Sequence, residues 1–265
     1  SEKLDLTNLE WSFQKDTPGT AGMFLKSRTI LNGDTYYLKM SSYNTTDGVY
    51  GHECFLEYIA SQLADLFKLT HLSYELWYAT VCVDGNKFDT WISASKEYRI
   101  EGDVRLSLDT YYNINKRGNE DLTSFVMSCP FKDDILKMLV FDYIIANRDR
   151  HSNNIEVLYN KNYDSYRLAP MFDHGCCLSS PLFDKWYTMD SEYYLKDFSV
   201  NNCIGSKSLK SNLEYARKEG LTFPAVILNS DLFGEIDTIM GSMFCDKHLE
   251  MLKERYHYAM DILAS

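Results

Sequence analysis

The stretch Asn147-Arg-Asp-Arg-His-Ser-Asn-Asn154 puts an Asp, a His and three carboxamides into eight residues, directly after a strongly apolar run. A loop seldom needs so many hydrogen-bonding side chains for its own turns, so the stretch points to chemistry. It is followed by a short β-rich run at Ile155–Leu158, a turn at 160–163, a second run at Tyr166–Ala169, and then Pro170-Met-Phe-Asp173-His-Gly175. The chemistry that wants this layout is phosphoryl transfer from a nucleotide. One Asp orients the acceptor hydroxyl, an Asn and a second Asp hold magnesium across the phosphates, and a remote Lys neutralises phosphate charge. Asp149, Asn154, Asp173 and Lys39 supply that set.

Lys39 lies in Tyr36-Tyr-Leu-Lys-Met40, where an inward ammonium must find a carboxylate or a phosphate because an unpaired buried charge is costly. Glu57 is the expected ion-pair partner, and Glu53, one turn earlier, is the alternative. His151 is expected near the nucleotide as a structural imidazole, bonded to its own loop or to the Asp173 turn. A metal cluster of His151, His174 and Cys176 is rejected, since phosphate-bound magnesium prefers oxygen. Arg148 and Arg150 are expected either to face phosphate or to be solvated.

These residues need elements to hold them. Phe24–Leu31 and Tyr36–Met40 read as strands joined by the hairpin turn Asn32-Gly33-Asp34. Ahead of them, Asp16-Thr-Pro-Gly-Thr-Ala-Gly22 is a small-residue loop able to cover a phosphate, with Gly19, Thr20 and Gly22 as candidate nucleotide contacts. Leu56, Ile59, Ala60, Leu63, Leu66 and Phe67 recur at helical spacing. Leu76–Val83 and Lys87–Ala94 read as a second hairpin. The order β, β, α, β, β predicts a small α+β lobe over residues 1–96, and residues 97–265 read as a mainly helical lobe. Within the second lobe, Tyr111–Asp121 is expected to be a surface loop, Phe131–Ala146 an apolar helix, and 207–218, 231–243 and 246–264 further helices. Adenine is expected where the lobes join, near Ile92–Lys96.

The five-residue step from Asp149 to Asn154 is that of the Asp-x-x-x-x-Asn loop of kinases. Asp149-Arg-His-Ser-Asn-Asn154 followed by Leu168-Ala-Pro-Met-Phe-Asp173 resembles the core of the HipA-like serine/threonine kinases, whose pattern runs Asp-x-His-x-x-Asn and then Leu-Ala-Pro-x-Tyr-Asp. Gly205-Ser-Lys-Ser and Phe55-Leu-Glu57-Tyr58 extend the likeness toward the short CtkA-type members, over about residues 15–220. The resemblance implies a bilobal protein-kinase-like fold and ATP- and magnesium-dependent transfer of the γ-phosphate to a serine or threonine of a protein. It also implies autophosphorylation in the small-residue loop, with Thr20 ahead of Thr17. The N-terminal subdomain through which longer relatives contact an antitoxin is not seen, so an antitoxin partner is not expected.

Composition narrows the partners. The chain has 265 residues, 27 Lys+Arg against 38 Asp+Glu and a net charge of −11, so its long-range field repels duplex nucleic acid. No apolar run approaches the ~20 residues needed to span a bilayer, and no signal-peptide pattern is seen, so a cytoplasmic location is expected. Seven cysteines without a Cys-x-x-Cys pair give no disulfide or zinc framework. Asp149-Arg-His-Ser-Asn-Asn154 also fits the loop of phosphoinositide kinases, so a lipid or small-molecule kinase is the first alternative. A non-catalytic nucleotide-binding pseudokinase is the second.

Overall fold

The computed structural model describes residues 2–13, 24–178, 180, 185, 188–241 and 246–265. The small-residue loop, with Thr17, Gly19, Thr20 and Gly22, lies outside the described residues.

Five strands form the N-terminal sheet: β1 (Leu4–Leu6), β2 (Lys26–Leu31), β3 (Asp34–Met40), β6 (Tyr74–Val83) and β7 (Asn86–Lys96). Their order is β1-β6-β7-β3-β2. Both expected hairpins form. Asn32 and Gly33 take φ of 53° and 88°, and Asp84 and Gly85 take 51° and 82°, the left-handed pairs that match the twist of two-residue hairpins. β1 pairs in parallel with β6, Leu4 opposite Ala79, and buries Leu6. A two-strand ribbon of β4 (Tyr43–Asn44) and β5 (Gly48–Val49) leads into helix α1 (Glu53–Leu66).

The apolar face of α1 is shared between the two parts of the molecule. Ile59, Leu63 and Phe67 belong to the large core built around helix α4 (Lys132–Ile144), where Phe67 meets Phe141, Phe223 and Tyr256 at ring distances of 6.2, 5.1 and 5.5 Å. A separate cluster including Leu38, Met40, Ala79, Val81 and Ile92 fills the N-terminal sheet. The fold is thus bilobal and kinase-like, with α1 wedged into the joint.

Strands β8 (Asp103–Ser107), β9 (Glu156–Asn160) and β10 (Ser165–Leu168) make a second sheet, ordered β10-β9-β8. Residues 108–115, largely within the stretch expected to be a surface loop, instead form α2 (Leu108–Asn115). Ser107 caps it by accepting from the Thr110 backbone N–H at 3.1 Å, and Tyr111 is buried against Phe125 and Phe131 at 5.5 and 5.7 Å. Its one-turn cap and a single aromatic anchor carry too little periodicity to be seen in so polar a stretch. The remaining α-helices among the described residues are α3 (Leu122–Met127), α5 (Ser191–Tyr194), α6 (Leu209–Lys218), α7 (Gly234–Met240) and α8 (Asp246–Ala264). No described helix is long and apolar enough to cross a membrane.

Candidate active site

The loop after α4 is aimed by the way that helix ends. Ala146 takes φ of 52°, its N–H bonds Tyr143 O at 3.2 Å, and Asn147 N–H bonds Asp142 O at 2.9 Å. This is a Schellman closure with alanine where glycine is usual. The chain is thrown sharply off the helix axis into Asn147–Asn154, and the Asn147 carboxamide donates back to Asp142 Oδ1 at 2.9 Å.

Arg150 fixes the loop from inside. It is 1% exposed, pairs with the fully buried Asp142 through Nε and Nη2 at 2.8 and 2.9 Å, and donates Nη1 to Asn154 O and Phe172 O at 3.1 and 2.9 Å. One guanidinium therefore ties α4, the end of the loop and the residue before Asp173 together. The expectation that Arg150 is solvated or faces phosphate is corrected: it is enclosed because its fork satisfies a buried carboxylate and two carbonyls at once. Arg148 likewise lies over the Phe198 ring, 4.2 Å from its centroid, and donates to Leu178 O and Tyr193 Oη.

Asp149 is partly exposed and held from two sides. Asn201 Nδ2 donates to its Oδ1 at 3.1 Å, and His151 Nε2 stands 3.7 Å from Oδ2. His151 Nδ1 accepts from the Asn153 N–H at 3.2 Å, so the neutral ring carries its proton on Nε2, facing Asp149. Among the described residues His151 therefore bonds its own loop and not the Asp173 turn. Asn154, buried at the end of the loop, donates Nδ2 to Asp149 O at 2.9 Å. Residues 199–205 brace the loop from outside, with Asn201 N–H on Arg148 O at 2.8 Å and Cys203 N–H on Arg150 O at 3.3 Å.

The second half of the site is an ion-pair cluster between the lobes. Lys39 Nζ lies 2.8 Å from Glu57 Oε1 and 2.6 Å from Asp173 Oδ1, with Glu57 fully buried and Asp173 29% exposed. Glu53 is not the partner; it accepts from Ser42 N and Oγ at 3.0 and 2.6 Å. Asp173 takes φ of 61°, and a Cβ at Gly175 would stand 3.1 Å from Glu53 Cβ, so this turn passes close to α1 and a side chain there would require α1 to give by a few tenths of an ångström. His174 N–H donates to Glu57 Oε2 at 3.0 Å, while its buried ring packs edge-on against Phe141.

Burial would lower the Lys39 ammonium, but Asp173 and Glu57 hold it well above its ordinary range. Burial pushes Glu57 up against the pull of Lys39. For Asp173, burial is outweighed by the charge and hydrogen bond of Lys39, then by Lys26 and Arg150, and the carboxyl is held at about 2. Burial, with the charge of Arg150, keeps the His174 imidazole neutral. Lys26, opposite Lys39 in the β2–β3 register and 4% exposed, is a second cation at this site; burial and the neighbouring Lys39 lower it.

A pH dependence follows from Asp173. Its carboxyl is depressed from 3.8 to about 2, so the stability it contributes is complete above about pH 4 and is lost as pH falls through 2. The stability gap between the wild type and Asp173→Asn should shrink over that window in acid denaturation. A gap that stays constant contradicts the pairing.

Asn201, Lys26, Asp142 and the inward Arg150 are the functional-region residues that sequence reasoning missed. Only Asn201 had a signal, its place four residues before the Gly205-Ser-Lys-Ser stretch. At the lobe junction β7 ends at Lys96, whose side chain turns outward to Asp34 at 2.6 Å. Just beyond, Tyr98 packs with Leu72, Tyr74 and Phe172 and donates its hydroxyl to Glu156 at 2.5 Å.

The fold is bilobal and kinase-like. Among proteins of known function, the chain is similar to the serine/threonine-protein kinase CtkA of Helicobacter pylori, 27% identical over 195 residues, or 66% of this chain. That aligned stretch spans 56% of the relative's length. The crystal structure of the H. pylori proinflammatory kinase CtkA superposes with a TM-score of 0.66 at 18% identity, covering 99% of this chain and 96% of that one. HipA of Shewanella oneidensis, from a toxin–antitoxin complex with HipB and operator DNA, gives 0.46 at 14% identity over 94% of this chain and 65% of that one, too remote to carry an argument. No protein-family model matches. The likeness to the HipA-like kinases in their short CtkA-type form is thus seen in sequence and in fold.

Proposed function

We propose that the chain is an ATP- and magnesium-dependent protein serine/threonine kinase. The observation that carries this reading is Lys39 held at 2.8 and 2.6 Å between Glu57 and Asp173, with Arg150 tying the Asp173 turn to the Asp149 loop. In a phosphoryl-transfer site such a lysine grips the α- and β-phosphates. Lys26 adds positive charge on the same face. Residues 1–96 and 97–265 are taken as the two lobes, with adenine between them beside Tyr98 and Phe172.

The oxygen donors present suit magnesium. Asn154 offers a side-chain oxygen and Asp173 an ionised, part-exposed carboxylate, hard ligands of the kind magnesium takes beside phosphate. Among the described residues no group of three His, Cys, Asp or Glu could hold a metal unaided, so the ion would arrive with the nucleotide. When bound, magnesium neutralises charge across the phosphates. Asp149, steered by Asn201 and His151, orients the acceptor hydroxyl and takes its proton as that oxygen bonds the γ-phosphorus and the bond from phosphorus to the β–γ bridging oxygen breaks, releasing ADP. Gly19, Thr20 and Gly22 would cover the phosphates, and Thr20 is the hydroxyl proposed for self-phosphorylation.

Titration calorimetry tests the nucleotide half of this reading. Asp173→Asn should weaken magnesium-ATP binding by about tenfold or more, equivalent to about 1.4 kcal/mol. Equal affinity in both proteins would remove Asp173 from the metal site.

A further inference from the structure

Away from the Lys39 cluster, a cavity of about 390 Å³ opens beside β10, lined by Phe131, Tyr166 and Leu168 with Lys68, Asp134 and Lys137 around it. Among the described residues β10 is an edge strand, paired with β9 alone. The Ala169 N–H bonds Glu156 O at 2.9 Å, which fixes the alternation along the register. Residues 165, 167 and 169 bond β9, so the N–H and C=O groups of Tyr166 and Leu168 face outward. Among the described residues no further strand lies beyond β10 to pair with them. Three residues past the end of β10, the chain already accepts a neighbour: Met171 N–H bonds Thr70 O at 3.1 Å and Leu72 N–H bonds Met171 O at 2.8 Å.

We propose that this edge is a docking groove for an extended acidic and apolar segment of a partner protein, which adds as a strand to β10. Backbone pairing to an open edge supplies register, and alternate side chains supply selectivity. The apolar lining takes an aliphatic or aromatic side chain. The charge chooses acidic residues. Lys68 and Lys137 have no ion-pair partner among the described residues, and Arg167 is already neutralised by Asp103. Two unpaired ammoniums against the single carboxylate of Asp134 make this a positive spot on a chain of net charge −11. An anionic segment repelled by most of the surface is directed here. Because the groove binds without nucleotide, its test is independent of the kinase reading.

The probe is a fluorescein-labelled pool of random Glu/Leu/Val peptides, about nine residues long to match a strand, beside a pool with Gln in place of Glu. Anisotropy should show the Glu pool binding the wild type at least about tenfold more tightly than the Gln pool, the scale of two exposed charge pairs. Lys68→Glu with Lys137→Glu should remove that preference without altering the thermal transition. Amide hydrogen exchange should slow at Tyr166 and Leu168 when the pool is added. No binding to the wild type, equal binding to the double variant, or unchanged exchange at those two amides overturns the proposal. So does a wild-type dimer in sedimentation that the double variant abolishes, since the groove would then serve a second copy of the chain.

Discussion

Replacing Asp149 with alanine should lower phosphoryl transfer by about 10³-fold, the range in which a positioned general base acts, while leaving magnesium-ATP affinity within about twofold of wild type, a difference under ~0.5 kcal/mol. The split follows from the geometry. Asp149 is bonded to Asn201 and faces His151, with no contact to the Lys39–Glu57–Asp173 cluster. Its proposed partner in the reaction is the acceptor hydroxyl, so nucleotide binding has no reason to change. Initial-rate kinetics beside calorimetry on the same preparations checks both halves. Retention of more than about a tenth of the rate contradicts the assignment, since positioning groups supply orders of magnitude. Asn201→Ala should give a weaker version of the same result, because the Asp149 carboxylate keeps its chemistry and loses one of two restraints.

The largest effect on stability is expected at Arg150. Arg150→Met leaves Asp142 charged and fully buried with only Asn147 beside it, and orphans two carbonyls. Breaking a buried pair in this way costs about 3–5 kcal/mol, which for a chain of this size lowers the thermal midpoint by roughly 10 °C. Adding Asp142→Leu removes the stranded charge and should recover much of the stability. Activity should stay low in the double variant, because nothing then ties the Phe172 carbonyl to the loop. Differential scanning calorimetry with a transfer assay separates the two effects. A fall of less than about 1 kcal/mol in the single variant, the net scale of an ordinary hydrogen bond, contradicts the buried-network account.

The parts of this molecule that were legible in its sequence are those where local pattern and chemistry coincide. The Asn32-Gly33 and Asp84-Gly85 turns demand positive φ and so announce their hairpins. The spacing of Leu56, Ile59 and Leu63 announces α1. Lys39 and Glu57 were paired on the expense of burying a lone ammonium, and the distance of 2.8 Å agrees with that argument. What stayed hidden depends on tertiary placement. Arg148 and Arg150 flank Asp149 identically in sequence, yet one lies on an aromatic ring and the other is sealed against Asp142. Lys26 joins the site only because the β2–β3 register sets it opposite Lys39. β1 is drawn into a sheet by its parallel partner β6, not by its own composition.

The proposed reaction moves the γ-phosphate of ATP onto a protein hydroxyl. Incubation with ATP radiolabelled at the γ-position and magnesium, with wild type and Asp149→Ala in parallel and a generic protein acceptor present, tests it directly. Label is expected in phosphoserine or phosphothreonine, abolished by EDTA and by the Asp149 substitution. Label that persists in Asp149→Ala, or a wild-type protein that binds ATP and transfers nothing to itself or to the acceptor, would contradict it.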